Sequence, residues 1–193
     1  MKFRQIKDSL MELLDDAHDA EQYLEENPEL QFARRTYIRS IFASIEGTIW
    51  ILKDVCFNVK PINGIRKMSV AEFALLKEQT YELKDNGETR TTPKFLRLPE
   101  NIKFTYKTIN KLFRSDIQLE IGSKHWQDFI KAIEIRNRIT HPKNKDSFFI
   151  SDDEIEFCKN ASSWFNDLTH EAIKAFLENV WNRIKARVCL ILE

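Results

Sequence analysis

The densest group of chemically versatile side chains lies in the nine residues from Ile135 to Lys143. This segment contains two arginines, an asparagine, a histidine and a lysine. An arginine offers a planar set of donors that matches two phosphate oxygens, and it keeps its charge at any physiological pH. A histidine can accept or donate a proton near neutral pH. The segment therefore combines anion binding with proton transfer.

These groups are nearly sufficient to cleave RNA without a metal ion. A base removes the proton of the 2′-hydroxyl, a cation stabilises the charge that grows on the phosphate, and an acid protonates the leaving 5′-oxygen. In such a reaction Arg136 would bind the phosphate and His141 would act as acid and base. Asn137 could orient the histidine or hydrogen-bond the phosphate. No metal ion or other cofactor is required.

A helix from Ser123 to about Ile139 is predicted to carry this segment. Its apolar residues form a stripe, and extending the stripe puts Asn137 on the core-facing side with Arg136 at the margin. The residues of the stripe are Trp126, Phe129, Ile130 and Ile133. Pro142 ends the helix, so His141 falls at its last turn or just beyond it.

Other charged residues can support this group. Glu46, at the flank of an apolar stripe on an earlier helix, is a candidate partner for Arg136. Arg138 points away from the core and, with Lys143 and Lys145, could hold an RNA backbone. A solvated basic loop accounts for these three residues equally well.

Composition indicates a helical protein. The chain has 193 residues with only 4 Gly and 5 Pro, which favours long helices over a β architecture with many turns. Its length suits one domain over residues 1–193. The formal net charge is zero, so a nucleic-acid partner would have to be attracted by a local basic cluster.

The apolar periodicity predicts an all-α protein, an up-and-down bundle of five or six helices. Ser69 with Glu72, and Ser151 with Glu154, are capping boxes that mark two helix starts. The last helix is one very long element or two in sequence. A connector at 60–64 and a short non-helical excursion near 85–98 interrupt the pattern. The predicted helices cover residues 3–26, 29–58, 70–84, 100–113, 123–139 and 152–190.

Several other classes of protein are disfavoured. The chain has no glycine-rich phosphate loop, no His-Glu-x-x-His pair, no Cys-x-x-Cys pair and no nucleophile elbow. Cys56, Cys158 and Cys189 are isolated and are expected to be buried in a reduced protein. No apolar run approaches the length of a membrane helix. A cytoplasmic protein without a metal site is expected.

The order Arg136-Asn137 followed by His141, at a helix end and before Pro142, resembles the RNase motif of the HEPN superfamily. Members are helical bundles, and many are metal-independent endoribonucleases of toxin–antitoxin, phage-defence and RNA-processing systems. The resemblance implies that Arg136 and His141 are catalytic and that Asn137 supports them. It also implies that RNA is a partner and that two copies form a homodimer with a composite active site. An antitoxin or another protein partner would fit the same setting.

Other interpretations remain open. The chain is longer than a minimal HEPN bundle, and its net charge is zero. It could be a catalytically inactive helical module that binds RNA, a nucleotide or a protein. Arg136 could form a structural ion pair while His141 only caps the helix, where the helix dipole favours its cationic form. In a third interpretation the motif completes a structural dimer interface.

Overall fold

The computed structural model describes residues 3–58 and 68–192, apart from the side chains of Phe3, Arg183 and residues 186–192. This part of the chain is mostly helical with a long C-terminal helix, as predicted, and it also contains a small two-stranded hairpin. The elements are α1 (Phe3–Glu26), α2 (Gln31–Asn58), α3 (Val70–Leu76), β1 (Gln79–Leu83), β2 (Thr89–Pro93), α4 (Leu98–Phe113), α5 (Lys124–Thr140), a 3-10 helix (Lys145–Phe148) and α6 (Asp152–Leu192). The predicted connector at 60–64 lies outside the described residues.

The predicted helix over 70–84 is wrong in its second half. Its start is confirmed, because the Ser69 hydroxyl accepts from the Glu72 amide and the Glu72 carboxylate accepts from the Ser69 amide. The helix nevertheless ends at Leu76, and Glu78 adopts a positive φ of 52°. Residues 79–83 instead pair antiparallel with 89–93, from Gln79 opposite Pro93 to Leu83 opposite Thr89. The excursion predicted near 85–98 is thus a hairpin that begins earlier.

The hairpin forms because its composition suits a strand pair. Thr80 lies opposite Thr92 and Tyr81 lies opposite Thr91, and threonine and tyrosine favour the extended conformation. Gly87, with a φ of 81°, occupies the left-handed position of the connecting turn. Cross-strand pairing therefore replaces the predicted continuation of the helix over residues 79–83.

The described chain divides into two compact units. Of the described residues, the first contains 49–58, 68–117 and 170–192, and the second contains 3–48 and 118–169. Helices α2 and α6 each contribute one part to each unit. Residues 135–143, and Glu46 with them, belong to the second unit. Among the described residues, no helix has both the length and the apolar character needed to cross a membrane.

The core of the second unit is built around an aromatic cluster. Phe129 of α5 contacts Trp126 at 5.9 Å and Trp164 of α6 at 5.1 Å between ring centroids, and Phe42 of α2 lies 6.4 Å away. These rings join α2, α5 and α6, so they fix the helix that carries Arg136. Such aromatic pairs add to the stabilisation that comes from their buried area.

Gly47 and two cysteines complete the packing, and the burial of Cys56 and Cys158 was predicted. A Cβ at Gly47 would lie 2.6 Å from Leu13 Cδ1, so the glycine lets α1 approach α2 closely. Cys56 and Cys158 are buried, and burial raises the pKa of both thiols to about 12. Both are therefore inert protonated thiols. The side chain of Cys189 lies outside the described residues.

In the first unit, a lysine is buried among polar partners. Lys53 is 1 % exposed, and its ammonium donates to Glu78 Oε1 at 2.8 Å and to Asn101 Oδ1 at 2.9 Å. Burial lowers the pKa of Lys53, and the hydrogen bond to Glu78 partly opposes this shift. Through these two hydrogen bonds Lys53 links α2 to the turn between α3 and β1 and to the start of α4.

Lys53→Ala is expected to lower the free energy of unfolding by about 2–4 kcal/mol. The substitution empties a closely packed site and leaves Asn101 without its donor. Urea unfolding followed by circular dichroism measures the change. Lys107→Ala, at an exposed position of α4, is the matched control and should shift stability by less than about 0.5 kcal/mol. Equal stability of the two variants would contradict the structural role of Lys53.

Candidate active site at the end of α5

The end of α5 is defined by local hydrogen bonds. Ser123 caps its start by accepting from the Trp126 amide at 3.2 Å, as predicted. At the other end the His141 amide donates to Asn137 O at 2.9 Å, and the Thr140 hydroxyl donates to Arg136 O at 2.7 Å. Pro142 has no amide hydrogen to extend the ladder. His141 is thus the C-terminal cap, one residue beyond the helix.

The buried face of α5 differs from the predicted stripe. Trp126 and Phe129 are buried as expected, but Ile130 and Ile133 are only half-buried. The placement of Asn137 on the core-facing side is wrong, since its side chain is exposed. The residues that continue the buried face are Asp128, Ala132, Ile135 and Ile139. Asn137 therefore faces solvent, where it can reach a ligand but does not pack in the core.

Arg136 lies at the margin of the core, as predicted. Its Nη2 donates to the Glu46 carboxylate of α2, and its guanidinium carbon lies 5.2 Å from the centroid of the Phe42 ring. The side chain is 21 % exposed, against 50 % for Glu46. Its Nε is buried and, among the described residues, has no hydrogen-bond partner. Glu46 is thus the ion-pair partner that the sequence suggested.

His141 begins an exposed loop that leads to α6. His141, Lys143 and Lys145 are exposed, and no side-chain hydrogen bond or ion pair of theirs is found within the described part of the chain. The loop is ordered by its own polar contacts, because Asn144 Oδ1 accepts from the Ser147 amide at 3.0 Å and from its hydroxyl at 2.9 Å. The imidazole and the two ammonium groups are therefore open to a ligand.

The Arg138 guanidinium forms hydrogen bonds within the protein. Its Nη2 donates to the Phe149 carbonyl and to the Glu154 carboxylate, each at 2.9 Å. Glu154 also caps α6 by accepting from the Ser151 amide at 3.1 Å. Arg138 therefore connects the end of α5 to the start of α6, and its guanidinium is not turned outward like the side chains of Lys143 and Lys145.

Arg138→Ala is expected to lower the free energy of unfolding by about 1–2 kcal/mol. It removes two charge-assisted hydrogen bonds that are only partly screened, because the side chain is 38 % exposed. Thermal unfolding of Arg138→Ala beside Lys143→Ala measures the effect. The lysine variant should match the unsubstituted protein within about 0.5 kcal/mol. A larger loss for Lys143→Ala than for Arg138→Ala would overturn this assignment.

Three arginines of α2 were missed by reasoning from sequence. Arg39 Nη2 lies 3.4 Å from the Ile139 carbonyl at the end of α5, Arg35 Nη1 donates to Phe148 O, and Arg34 Nη1 donates to Ile150 O. They belong to the same unit as the candidate site. The available signal was the presence of three cations in the first turns of an otherwise apolar core helix. Their partners are carbonyls of the end of α5 and of the following loop, 100 to 116 residues away along the chain, and sequence spacing does not reveal contacts at that distance.

The arrangement gathers one half-buried guanidinium, one exposed imidazole and two exposed ammonium groups at one helix end. The described residues contain no group of three or more His, Cys, Asp or Glu side chains that could hold a metal ion. Comparisons of the chain with protein-family models, curated proteins and solved structures gave no match. The chemical possibilities of the site are therefore judged from its own geometry.

Proposed function

We propose that the protein is a metal-independent endoribonuclease of HEPN type. The observation that supports this function best is the pairing of a fixed cation with an open imidazole at the end of α5. Arg136 is held against Glu46 and Phe42, and five residues later His141 is exposed as the helix cap. A fixed guanidinium loses little entropy when it binds a phosphate.

In the proposed reaction the 2′-oxygen attacks the adjacent phosphorus. His141 takes the proton of the 2′-hydroxyl, and Arg136 stabilises the negative charge on the non-bridging phosphate oxygens. The bond from phosphorus to the 5′-oxygen then breaks, and this oxygen takes up a proton. The products are a 2′,3′-cyclic phosphate and a 5′-hydroxyl. Asn137, which is exposed beside Arg136, is available to hydrogen-bond the phosphate.

A second copy of the chain would complete the acid–base pair. One imidazole can remove the proton of the 2′-hydroxyl, while a second is needed to protonate the leaving oxygen in the same event. In a homodimer with a composite site, the partner's His141 would supply that proton. The resemblance to HEPN proteins suggests a cytoplasmic toxin or phage-defence component, with an antitoxin or another protein as a further partner.

A single modified nucleotide tests the proposed reaction. An RNA oligonucleotide that the protein cleaves in EDTA is compared with one that carries a 2′-deoxynucleotide at the cleavage position. Cleavage at that position should stop, because the attacking oxygen is missing, while cleavage elsewhere continues. Undiminished cleavage at the 2′-deoxy position would show that water attacks the phosphate and would overturn the mechanism.

The second candidate function is a catalytically inactive module that binds RNA, a nucleotide or a protein. The ion pair between Arg136 and Glu46 favours it, because a purely structural arginine would have the same partner. This alternative predicts tight binding of RNA without turnover. It also predicts that His141→Gln binds RNA as tightly as the unsubstituted protein, since the amide retains a hydrogen-bonding group.

A further inference from the structure

Three consecutive carbonyl groups, those of Phe148, Phe149 and Ile150, each accept a hydrogen bond from a different arginine. The donors, in that order, are Arg35 Nη1 at 3.0 Å, Arg138 Nη2 at 2.9 Å and Arg34 Nη1 at 2.9 Å. Gln31 adds two more bonds at Ile150, one to its carbonyl at 2.9 Å and one from its amide at 2.8 Å. The backbone that precedes α6 is therefore held firmly at each of these residues.

The fixed backbone holds one aromatic ring out in solvent. Phe149 is 60 % exposed, whereas Ile150 beside it is 0 % exposed. Phe148 is 37 % exposed, and the Arg35 guanidinium carbon lies 5.7 Å from the centroid of its ring. A rigid, exposed ring can stack on a flat ligand without first losing backbone freedom. Exposed aromatic rings of this kind form the stacking platforms of proteins that bind single-stranded nucleic acid.

The charges around this ring favour a polyanion. Lys143 and Lys145 lie a few residues earlier in the same loop, and neither they nor Arg35 forms an ion pair with a carboxylate within the described residues. The neighbouring carboxylates of Asp152 and Glu154 are engaged by Arg34 and Arg138. The acidic residues that remain are Asp146 in the loop and Asp153 in the first turn of α6, against the three cations Lys143, Lys145 and Arg35. An apolar protein segment could pack against the ring but would not pair with the unpaired cations. A single-stranded nucleic acid does both, because its bases stack on the ring and its phosphates bind the cations.

We infer that the Phe148–Phe149 pair is a base-stacking subsite for an unpaired nucleotide of single-stranded RNA. Phe149 supplies the platform, and Lys143 and Lys145 contact the adjoining phosphates. The inference rests on the proposed function, because the same loop begins at His141 and would lead the RNA from the platform to the reacting phosphate. It specifies the substrate class as RNA that is unpaired beside the cleavage position.

Phe149→Ala tests the platform by RNA binding. The probe is a single-stranded RNA that carries one 2-aminopurine, and its binding and fluorescence are measured with His141→Ala as the background to prevent cleavage. Phe149→Ala and Phe149→Leu should each weaken binding by about 5- to 150-fold, because neither side chain stacks on a base. Phe149→Tyr keeps the ring and should bind within about threefold of the background protein. Tyr81→Ala, which removes a comparably exposed ring (56 %) from the hairpin, is the control and should bind normally.

The outcomes separate this inference from the proposed function. If Phe149→Ala loses RNA binding but the unsubstituted chain cleaves no RNA, the stacking platform is supported and the proposed nuclease function is refuted. If Phe149→Ala cleaves RNA with an unchanged KM, the stacking platform is refuted and the proposed nuclease function stands. Normal binding by Phe149→Leu would also overturn the platform, since it would mean that any apolar group serves, as in protein docking. Absence of RNA binding by the background protein would overturn it as well.

Discussion

His141→Ala is expected to slow RNA cleavage by about 10²- to 10⁴-fold at saturating substrate, because it removes the group that transfers the proton. The free energy of unfolding should stay within about 0.5 kcal/mol of the original, since the side chain is exposed. The measurement is the steady-state cleavage rate in EDTA at saturating RNA labelled at its 5′ end, with unfolding followed in parallel.

The control for His141 lies on the same helix. His125, in the first turn of α5, is also exposed, and His125→Ala should cleave RNA at the original rate. Together the two variants separate a specific proton-transfer role from a general effect of losing an imidazole. Equal rates for His141→Ala and the unsubstituted chain would exclude His141 from the reaction.

Arg136→Ala is expected to lower the cleavage rate by about 10²- to 10³-fold, the usual effect of removing one fixed donor that stabilises the transition state. Arg136→Lys should recover only part of this loss, because an ammonium keeps the charge but not the planar pair of donors. Both variants are measured in EDTA at saturating RNA, so that a change in binding is not mistaken for a change in rate.

Glu46→Ala distinguishes a catalytic arginine from a structural one. If Arg136 only forms an ion pair, removal of either partner should have a similar effect on stability and on cleavage. If Arg136 binds the phosphate, Glu46→Ala should lower the rate by only about tenfold, through looser positioning of the guanidinium. Equal losses of cleavage in Glu46→Ala and Arg136→Ala would favour the structural interpretation.

Helix starts and most helix ends could be predicted because their causes are local. Ser69, Ser123 and Ser151 cap the helices that follow them, and their side chains act within three residues along the chain. The hairpin was harder to predict, because the helix that starts at the Ser69 capping box was extended through residues 79–83. What makes them a strand is the pairing with 89–93, a contact across a turn that periodicity along one segment does not include.

The orientation of α5 was only partly predictable. Glu46 was identified because it flanks an apolar stripe, and the ion pair with Arg136 follows from that position. The predicted position of Asn137 was wrong because the buried face includes Ala132 and Asp128, and neither residue type by itself indicates burial. Asp128 is 2 % exposed, and Asn160 of α6 donates to it at 3.3 Å. Because this face contains a small residue and a paired carboxylate, the apolar pattern of the sequence does not identify it as the buried face of α5.

The structure also distinguishes Arg138, which fixes a loop, from Lys143 and Lys145, which are open to a ligand, although the sequence suggested the same role for all three. Arg138 and the lysines of the loop were grouped as RNA contacts, yet the guanidinium bonds Phe149 and Glu154 whereas the ammonium groups of Lys143 and Lys145 face solvent. Every residue has a backbone carbonyl that can accept a hydrogen bond from an arginine, whatever its side chain. Residue types alone therefore could not distinguish an arginine that fixes a loop from one that binds a ligand.

The most direct test of the central claim, that Arg136 and His141 cleave RNA, is an analysis of product ends in EDTA. Single-stranded RNA is incubated with the unsubstituted chain and with Arg136→Ala/His141→Ala from matched preparations, and the fragments are identified by mass spectrometry. We expect 2′,3′-cyclic phosphate ends from the first and no detectable cleavage from the second. Cleavage by the double variant at the original rate, or fragments that end in a 3′-hydroxyl, would contradict it.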